Sequence, residues 1–178
     1  MTSLSVTQDL KPRQYVARPI KNGEIIARLY IIRVLRPCTV IETGVAAGIS
    51  SAYILKALHH NKMGMLYSIE LPTSSQSRRD HWILYGREIG YAIPQSLKTR
   101  WKLVLGNSKE KLPELLNTLG TLDVFLHDSL HTYEHVTFEY EGAWEALKRG
   151  GILLSDDVNL NKAFEDFCRR HNARYIVI

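Results

Sequence analysis

The sequence predicts an α/β fold, a doubly wound and mostly parallel sheet with helices on both faces, and three observations carry that prediction. Short apolar runs alternate with longer segments of helical period along most of the chain, the pattern of successive right-handed β–α–β units. The run Val40-Ile41-Glu42-Thr43-Gly44-Val45-Ala46-Ala47-Gly48-Ile49-Ser50-Ser51 reads as a buried strand that turns on small residues straight into a helix. Acids close the strands at Glu42, Glu70, Asp128 and the pair Asp156-Asp157. In a parallel sheet those ends share one rim, where ligands bind at the topological switch point.

With 178 residues, 45% hydrophobic and 23% charged, the chain has the length and composition of one domain with a substantial core. We divide it into an N-terminal tail or lid, residues 1–20, and a domain over residues 21–178. The net charge of +5 is spread thinly, with no run of more than two consecutive basic residues, as on a solvated surface rather than a nucleic-acid footprint. Cys38 and Cys168 lack C-x-x-C spacing, so neither a zinc site nor a disulfide scaffold is indicated. The N-terminus has no signal-peptide pattern, and no apolar run approaches the roughly 18 residues that span a membrane. A cytoplasmic protein without a membrane or nucleic-acid partner is the expectation.

In order, Asn22 is a candidate cap for a helix carrying Ile25, Ile26, Leu29, Tyr30, Ile32 and Val34-Leu35, stopped by Pro37. A strand over residues 38–43 leads into a helix from 50 to about 60, and Met65–Ile69 forms a strand ending at Glu70. Residues 78–91 read as a helix and 101–105 as a strand. Ser108 is then placed to cap a helix that Gly120 ends. Leu122–Asp128 is a strand, followed by a helix to Lys148 that Arg149-Gly150-Gly151 breaks. Ile152–Ser155, a helix near 162–171 and a strand over 174–178 complete the chain.

Glycine at 44 and 48 allows positive φ and a close ligand approach, and the helix mouth behind them offers amide N–H groups. A dinucleotide would ask for G-x-G-x-x-G, but Ala46 and Ile49 stand at its second and third glycine positions. The pattern present, acid-x-Gly-x-x-x-Gly, suits a ligand without a pyrophosphate and with a positive or zwitterionic group near Glu42. Glu70 lies about 20 residues further on, where such units place the carboxylate that receives ribose hydroxyls.

The glycine turn resembles motif I of class I S-adenosylmethionine-dependent methyltransferases, a Rossmann-like family. Asp128-Ser129-Leu130-His131-Thr132-Tyr133, with Arg149-Gly150-Gly151-Ile152-Leu153-Leu154-Ser155-Asp156-Asp157 after it, resembles the subgroup of catechol, caffeoyl-CoA and macrolide-sugar O-methyltransferases. That resemblance implies S-adenosylmethionine held by Glu42, Thr43, Gly44, Gly48, Ser50, Ser51, Glu70, Asn107, Ser108 and Asp128. Asn107 departs from the family's usual acid, though its amide oxygen can still accept from the adenine amino group.

The resemblance further implies a divalent ion, Mg²⁺ or Mn²⁺, held by Asp128, Asp156 and Asp157, since carboxylates without thiolates suit hard cations. His131 stands where catechol-type members have a lysine, and Asp128 and His131 are the catalytic candidates. A small-molecule hydroxyl, of a sugar or phenol, would lose its proton to His131 and attack the sulfonium methyl in line. Members of the family close with a helix and two further strands, whereas one strand follows the last helix here. The expectation is a C-terminally short fold whose exposed edge is covered in a homodimer. The competing reading is a non-catalytic S-adenosylmethionine-binding or scaffold domain. A nicotinamide oxidoreductase is opposed by the missing G-x-G-x-x-G, and a nucleic-acid methyltransferase by the lack of an Asn-Pro-Pro-Tyr-type motif.

Overall fold

The structure, a computed structural model, describes residues 15–18, 24–72 and 87–177. Its elements are β1 (Tyr15–Arg18), α1 (Glu24–Leu35), β2 (Thr39–Thr43), α2 (Ile49–Asn61), β3 (Met65–Glu70) and a 3₁₀ turn (Gln95–Arg100). They continue with β4 (Trp101–Leu105), α3 (Ser108–Leu119), β5 (Leu122–His127), α4 (Tyr133–Ala146), β6 (Leu147–Ser155), α5 (Ala163–His171) and β7 (Arg174–Val177). The strands form one seven-stranded sheet in the order β4-β3-β2-β5-β6-β1-β7. All the described pairings are parallel.

Alternation along the central strands sends side chains to two separate cores, because helices cover both faces. Ile41, Phe125 and Leu153 pack with Leu112 of α3, Val136 and Tyr140 of α4 and Phe167 of α5. Their neighbours Val40, Val124, Leu126 and Leu154 pack on the opposite face with Ile32 of α1 and Ile54, Leu55 and Leu58 of α2. The doubly wound sheet of the sequence prediction is therefore present, with β2 and β5 adjacent at its centre.

The stretch read as an N-terminal tail or lid contains a strand. Tyr15 is in register with Ile152 of β6 and with Arg174 of β7, so β1 lies between the two. Four residues between prolines carry too short a pattern to announce a strand; pairing on both sides makes it one.

Three boundaries also differ. The helix expected to run to Lys148 ends at Ala146, and Arg149-Gly150-Gly151 lies inside β6. There the register slips, Leu122 pairing with Leu147 but Val124 with Ile152. A Cβ on Gly151 would sit 2.9 Å from the Asp123 carbonyl oxygen, so glycine lets the strand bulge instead of ending it. The cap of α3 is Asn107, whose Oδ1 accepts from Lys109 N–H, and Ser108 is the first helical residue. Of the helix expected over 78–91, residues 78–86 lie outside the described residues, and 89–92 form a turn through Gly90 (φ 71°).

Candidate active site

The turn after β2 is held by hydrogen bonds from two directions. Gly44 and Gly48 have φ of 84° and 83°, and Ala46 takes a left-handed φ of 46°. Glu70, at the end of β3, accepts through Oε2 from Val45 N–H (2.7 Å) and Ala46 N–H (2.9 Å), and through Oε1 from Leu71 N–H. Gly90 N–H and Ala92 N–H donate to the carbonyls of Ala46 and Ala47 from the other side. The amides of Val45 and Ala46 are thus already engaged, so the turn offers a ligand its close-packed shape more than its N–H groups. One oxygen of Glu70 is filled by two donors, while Oε1, with one donor, keeps acceptor capacity for a hydroxyl.

Above this turn opens a cavity of about 550 Å³, lined by Gly44, Val45, Ala46, Ser50, Ile69, Glu70, Leu71, Gly106 to Lys109, Asp128 to Leu130 and His135. It brings together Gly44, Ser50, Glu70, Asn107, Ser108 and Asp128 from the predicted cofactor set. Its size is that of a small-molecule site. Glu42, Thr43, Gly48 and Ser51 are not in its lining. Gly48 packs against Gly90 and Ile93, where a Cβ would come within 2.8 Å of both. Glu42 and Ser51 are fully buried beneath, Glu42 Oε2 accepting from Ser51 and Ser68 hydroxyls at 2.7 Å. Burial pushes the Glu42 carboxyl up to about 7, against the pull of those two hydrogen bonds.

Beside the cavity the acids at the ends of β5 and β6 do converge, around a cation the sequence reading missed. Arg28 of α1 is 3% exposed, and its Nη2 lies 2.8 Å from Asp156 Oδ2. Its Nη1 donates to the Ser50 hydroxyl at the mouth of α2. The other oxygen of Asp156 accepts from Asp157 N–H at 2.8 Å. Burial, with the charge of Asp156 adding, pushes Asp128 up to about 8, so at neutral pH it holds its proton. Asp157 is exposed and takes a left-handed φ of 46°. As placed, these acids do not fit a divalent ion: Asp156 is committed to Arg28, and among the described residues no three His, Cys, Asp or Glu groups are arranged to hold one.

The second missed residue is Glu139 of α4, fully buried under the cavity floor. Its carboxylate accepts from Thr43 Oγ1 (2.6 Å) and Ser129 Oγ (2.9 Å), and pairs with His127 Nδ1 (2.7 Å) and His135 Nε2 (2.8 Å). Burial alone would raise its pKa; the bonds to His127 and His135 overcome that and hold it below the ordinary carboxylate range. Ser108 reaches the same knot through His135, at 2.9 Å. Predicted cofactor residues Thr43 and Ser108 are therefore tied to Glu139 rather than turned wholly to a ligand.

His131 sits in the loop between β5 and α4, its ring centroid 5.1 Å from that of His127. Its Nε2 is buried and makes no hydrogen bond among the described residues. Burial lowers its pKa, helped by His127, so the imidazole is neutral at physiological pH and available as a proton acceptor. Arg28 and Glu139 shared one legible signal. Each is a charge on the buried stripe of its helix, at i−4 to Ile32 and i+3 from Val136.

With this geometry in hand, comparison with known proteins defines the class. The chain belongs to the methyltransferase domain family, whose model matches residues 41–158. Its fold is similar to that of the methyltransferase PaMTH1 of Podospora anserina bound to SAH, with TM-score 0.56 and 18% identity over 78% of this chain and 54% of that one. It is similar to an O-methyltransferase of Bacillus cereus in complex with SAH, with TM-score 0.60 and 12% identity over 86% of this chain and 69% of that one. It is also similar to the O-methyltransferase TomG of Streptomyces achromogenes, involved in tomaymycin synthesis, with TM-score 0.57 and 15% identity over 86% and 68%. At these identities the likeness is one of fold, and the chain spans little more than half the length of PaMTH1. No curated protein matches the sequence at significant strength. Among the described residues, no helix is long and apolar enough to cross a membrane.

Proposed function

We propose that this chain is an S-adenosylmethionine-dependent O-methyltransferase that methylates a hydroxyl of a small molecule. The observation that carries the proposal is the cavity itself. It lies on the carboxyl rim of the sheet, between the glycine turn, Glu70 and Asn107, with the His131 imidazole, whose Nε2 makes no hydrogen bond among the described residues, in the adjoining loop.

The residues fit such a cofactor. Glu70 Oε1 can accept from a ribose hydroxyl, and Asn107 stands at the β4 end, where an adenine would lie. The turn at Gly44 brings main chain, rather than a side chain, against the ligand. When bound, S-adenosylmethionine supplies an electrophilic methyl on a sulfonium. The chain's own work is then to align an acceptor oxygen and remove its proton. His131, neutral and partly buried beside the cavity, takes that proton, while protonated Asp128 orients the oxygen as a donor. Metal assistance does not fit the acids as they are placed. A cytoplasmic location remains part of the proposal, as does pairing into a homodimer, which would cover an edge strand of the sheet, β4 or β7.

Calorimetric titration of S-adenosylhomocysteine into the wild type and Glu70→Gln tests the reading. Micromolar binding that weakens by about tenfold or more in the variant is expected. No binding to the wild type would sink the enzyme reading and favour the scaffold alternative.

A further inference from the structure

We propose that the guanidinium of Arg28 is the resident cation of the acid cluster and fills the role of a divalent ion there, so that the native chain takes up neither Mg²⁺ nor Mn²⁺ at Asp128, Asp156 and Asp157. The inference rests on the methyltransferase reading for the cluster's meaning, but not for its test.

Three facts carry it. A charge as deeply buried as Arg28, 3% exposed, is held in a fold only where partners compensate its lost hydration. Its partners are Asp156 Oδ2, at 2.8 Å, and the Ser50 hydroxyl, so the fork joins the end of β6 to the mouth of α2. Both side-chain oxygens of Asp156 are engaged, Oδ2 by Arg28 and Oδ1 by Asp157 N–H, and its main-chain N–H, bonded to the His127 carbonyl, fixes the residue in place. A Mg²⁺ ion requires near-octahedral oxygen ligands at about 2.0–2.1 Å, and could claim Asp156 only by displacing a guanidinium already in contact. Two cations cannot share that carboxylate without strong mutual repulsion.

The converse follows. Removing the guanidinium takes from the acid cluster the cation that Asp156 pairs with among the described residues, and a divalent ion can then enter. Arg28 thus acts as a positioning residue: it fixes Asp156 and Ser50 and sets the charge that Asp128 meets.

The test is Mn²⁺ titration of the full chain, followed by the electron paramagnetic resonance signal of free Mn²⁺, on wild type, Arg28→Lys, Arg28→Gln, Asp156→Asn and the double variant Arg28→Gln/Asp156→Asn. Wild type and Arg28→Lys are expected to retain no ion. Arg28→Gln is expected to bind one, at least about tenfold more tightly than wild type, and to lose it in the double variant. One ion bound by the wild type and lost in Asp156→Asn would overturn the proposal, as would an Arg28→Gln protein as indifferent to Mn²⁺ as the wild type. Should Arg28→Gln fail to fold, wild type against Asp156→Asn decides alone. Titration of S-adenosylhomocysteine into the same samples reports separately on the methyltransferase reading.

Discussion

Oε2 of Glu139 lies 2.7 Å from Nδ1 of His127, and both side chains are fully buried. Through Thr43, His127, Ser129 and His135, the same carboxylate ties the ends of β2 and β5 to the loop after β5 and to α4. It is the fastening under the cavity floor. Glu139→Gln keeps the shape but removes the charge that two histidines pair with, and should destabilise the fold by about 3 kcal/mol. Urea unfolding measures this; a loss under roughly 1 kcal/mol would mean the knot contributes little.

Gly44→Ala should be the most damaging small change in the turn. At φ 84° its Cβ would fall 1.9 Å from the Asp128 carbonyl oxygen, which is main chain and cannot swing aside. We expect a loss of about 2 kcal/mol or more and no measurable S-adenosylhomocysteine binding. Gly120→Ala, at φ 74° with open space around it, is the control and should cost about 1 kcal/mol. Equal losses at the two sites would refute the steric argument.

Burial raises Asp128 from 3.8 to about 8, so the folded state binds this proton more tightly than the unfolded chain does. Stability from that proton is complete below the unfolded pKa and drains away as pH rises through the folded one. Asp128→Asn removes the dependence. The variant should therefore gain on the wild type steadily between about pH 4 and pH 8, as read from urea midpoints. Glu139, with its lowered pKa, gives stability that is lost on acidification; it is present in both proteins and cancels in the difference. A gap that stayed constant with pH would show Asp128 to be unperturbed.

His131→Gln separates proton transfer from cofactor binding, because His131 does not line the cavity. Binding of S-adenosylhomocysteine should be unchanged, while transfer of labelled methyl to an accepted hydroxyl falls by about 10²–10⁴-fold. Retained transfer would assign the base elsewhere.

The cavity's frame was legible because it depends on local signals: a glycine turn between strand and helix, and acids at strand ends. Gly44, Glu70 and Asn107 face the same space for that reason. What could not be read was partnership at long range. Nothing near residue 28 names Asp156, and nothing near residue 139 names Thr43; only the fold brings them within hydrogen-bond distance. Asp156 could be expected to ligate a metal until its actual partner was seen. Asn107 displaced Ser108 as the helix cap because Ser108 is drawn instead to His135.

The insertion of β1 between β6 and β7 has a consequence for how the chain comes to be folded. The first of the seven described strands in chain order must wait for its two neighbours, which are the last two in that order. Until then the growing sheet ends at β6 with its hydrogen-bonding edge open, the state most exposed to pairing with another chain. Closing so long a loop around a four-residue strand is also slow, since the entropy is lost before the contacts form. The segment ahead of α1 should thus govern folding yield more than its few hydrogen bonds suggest, and a bulky fusion there should trap protein in aggregates while leaving the cavity chemistry of whatever folds unchanged.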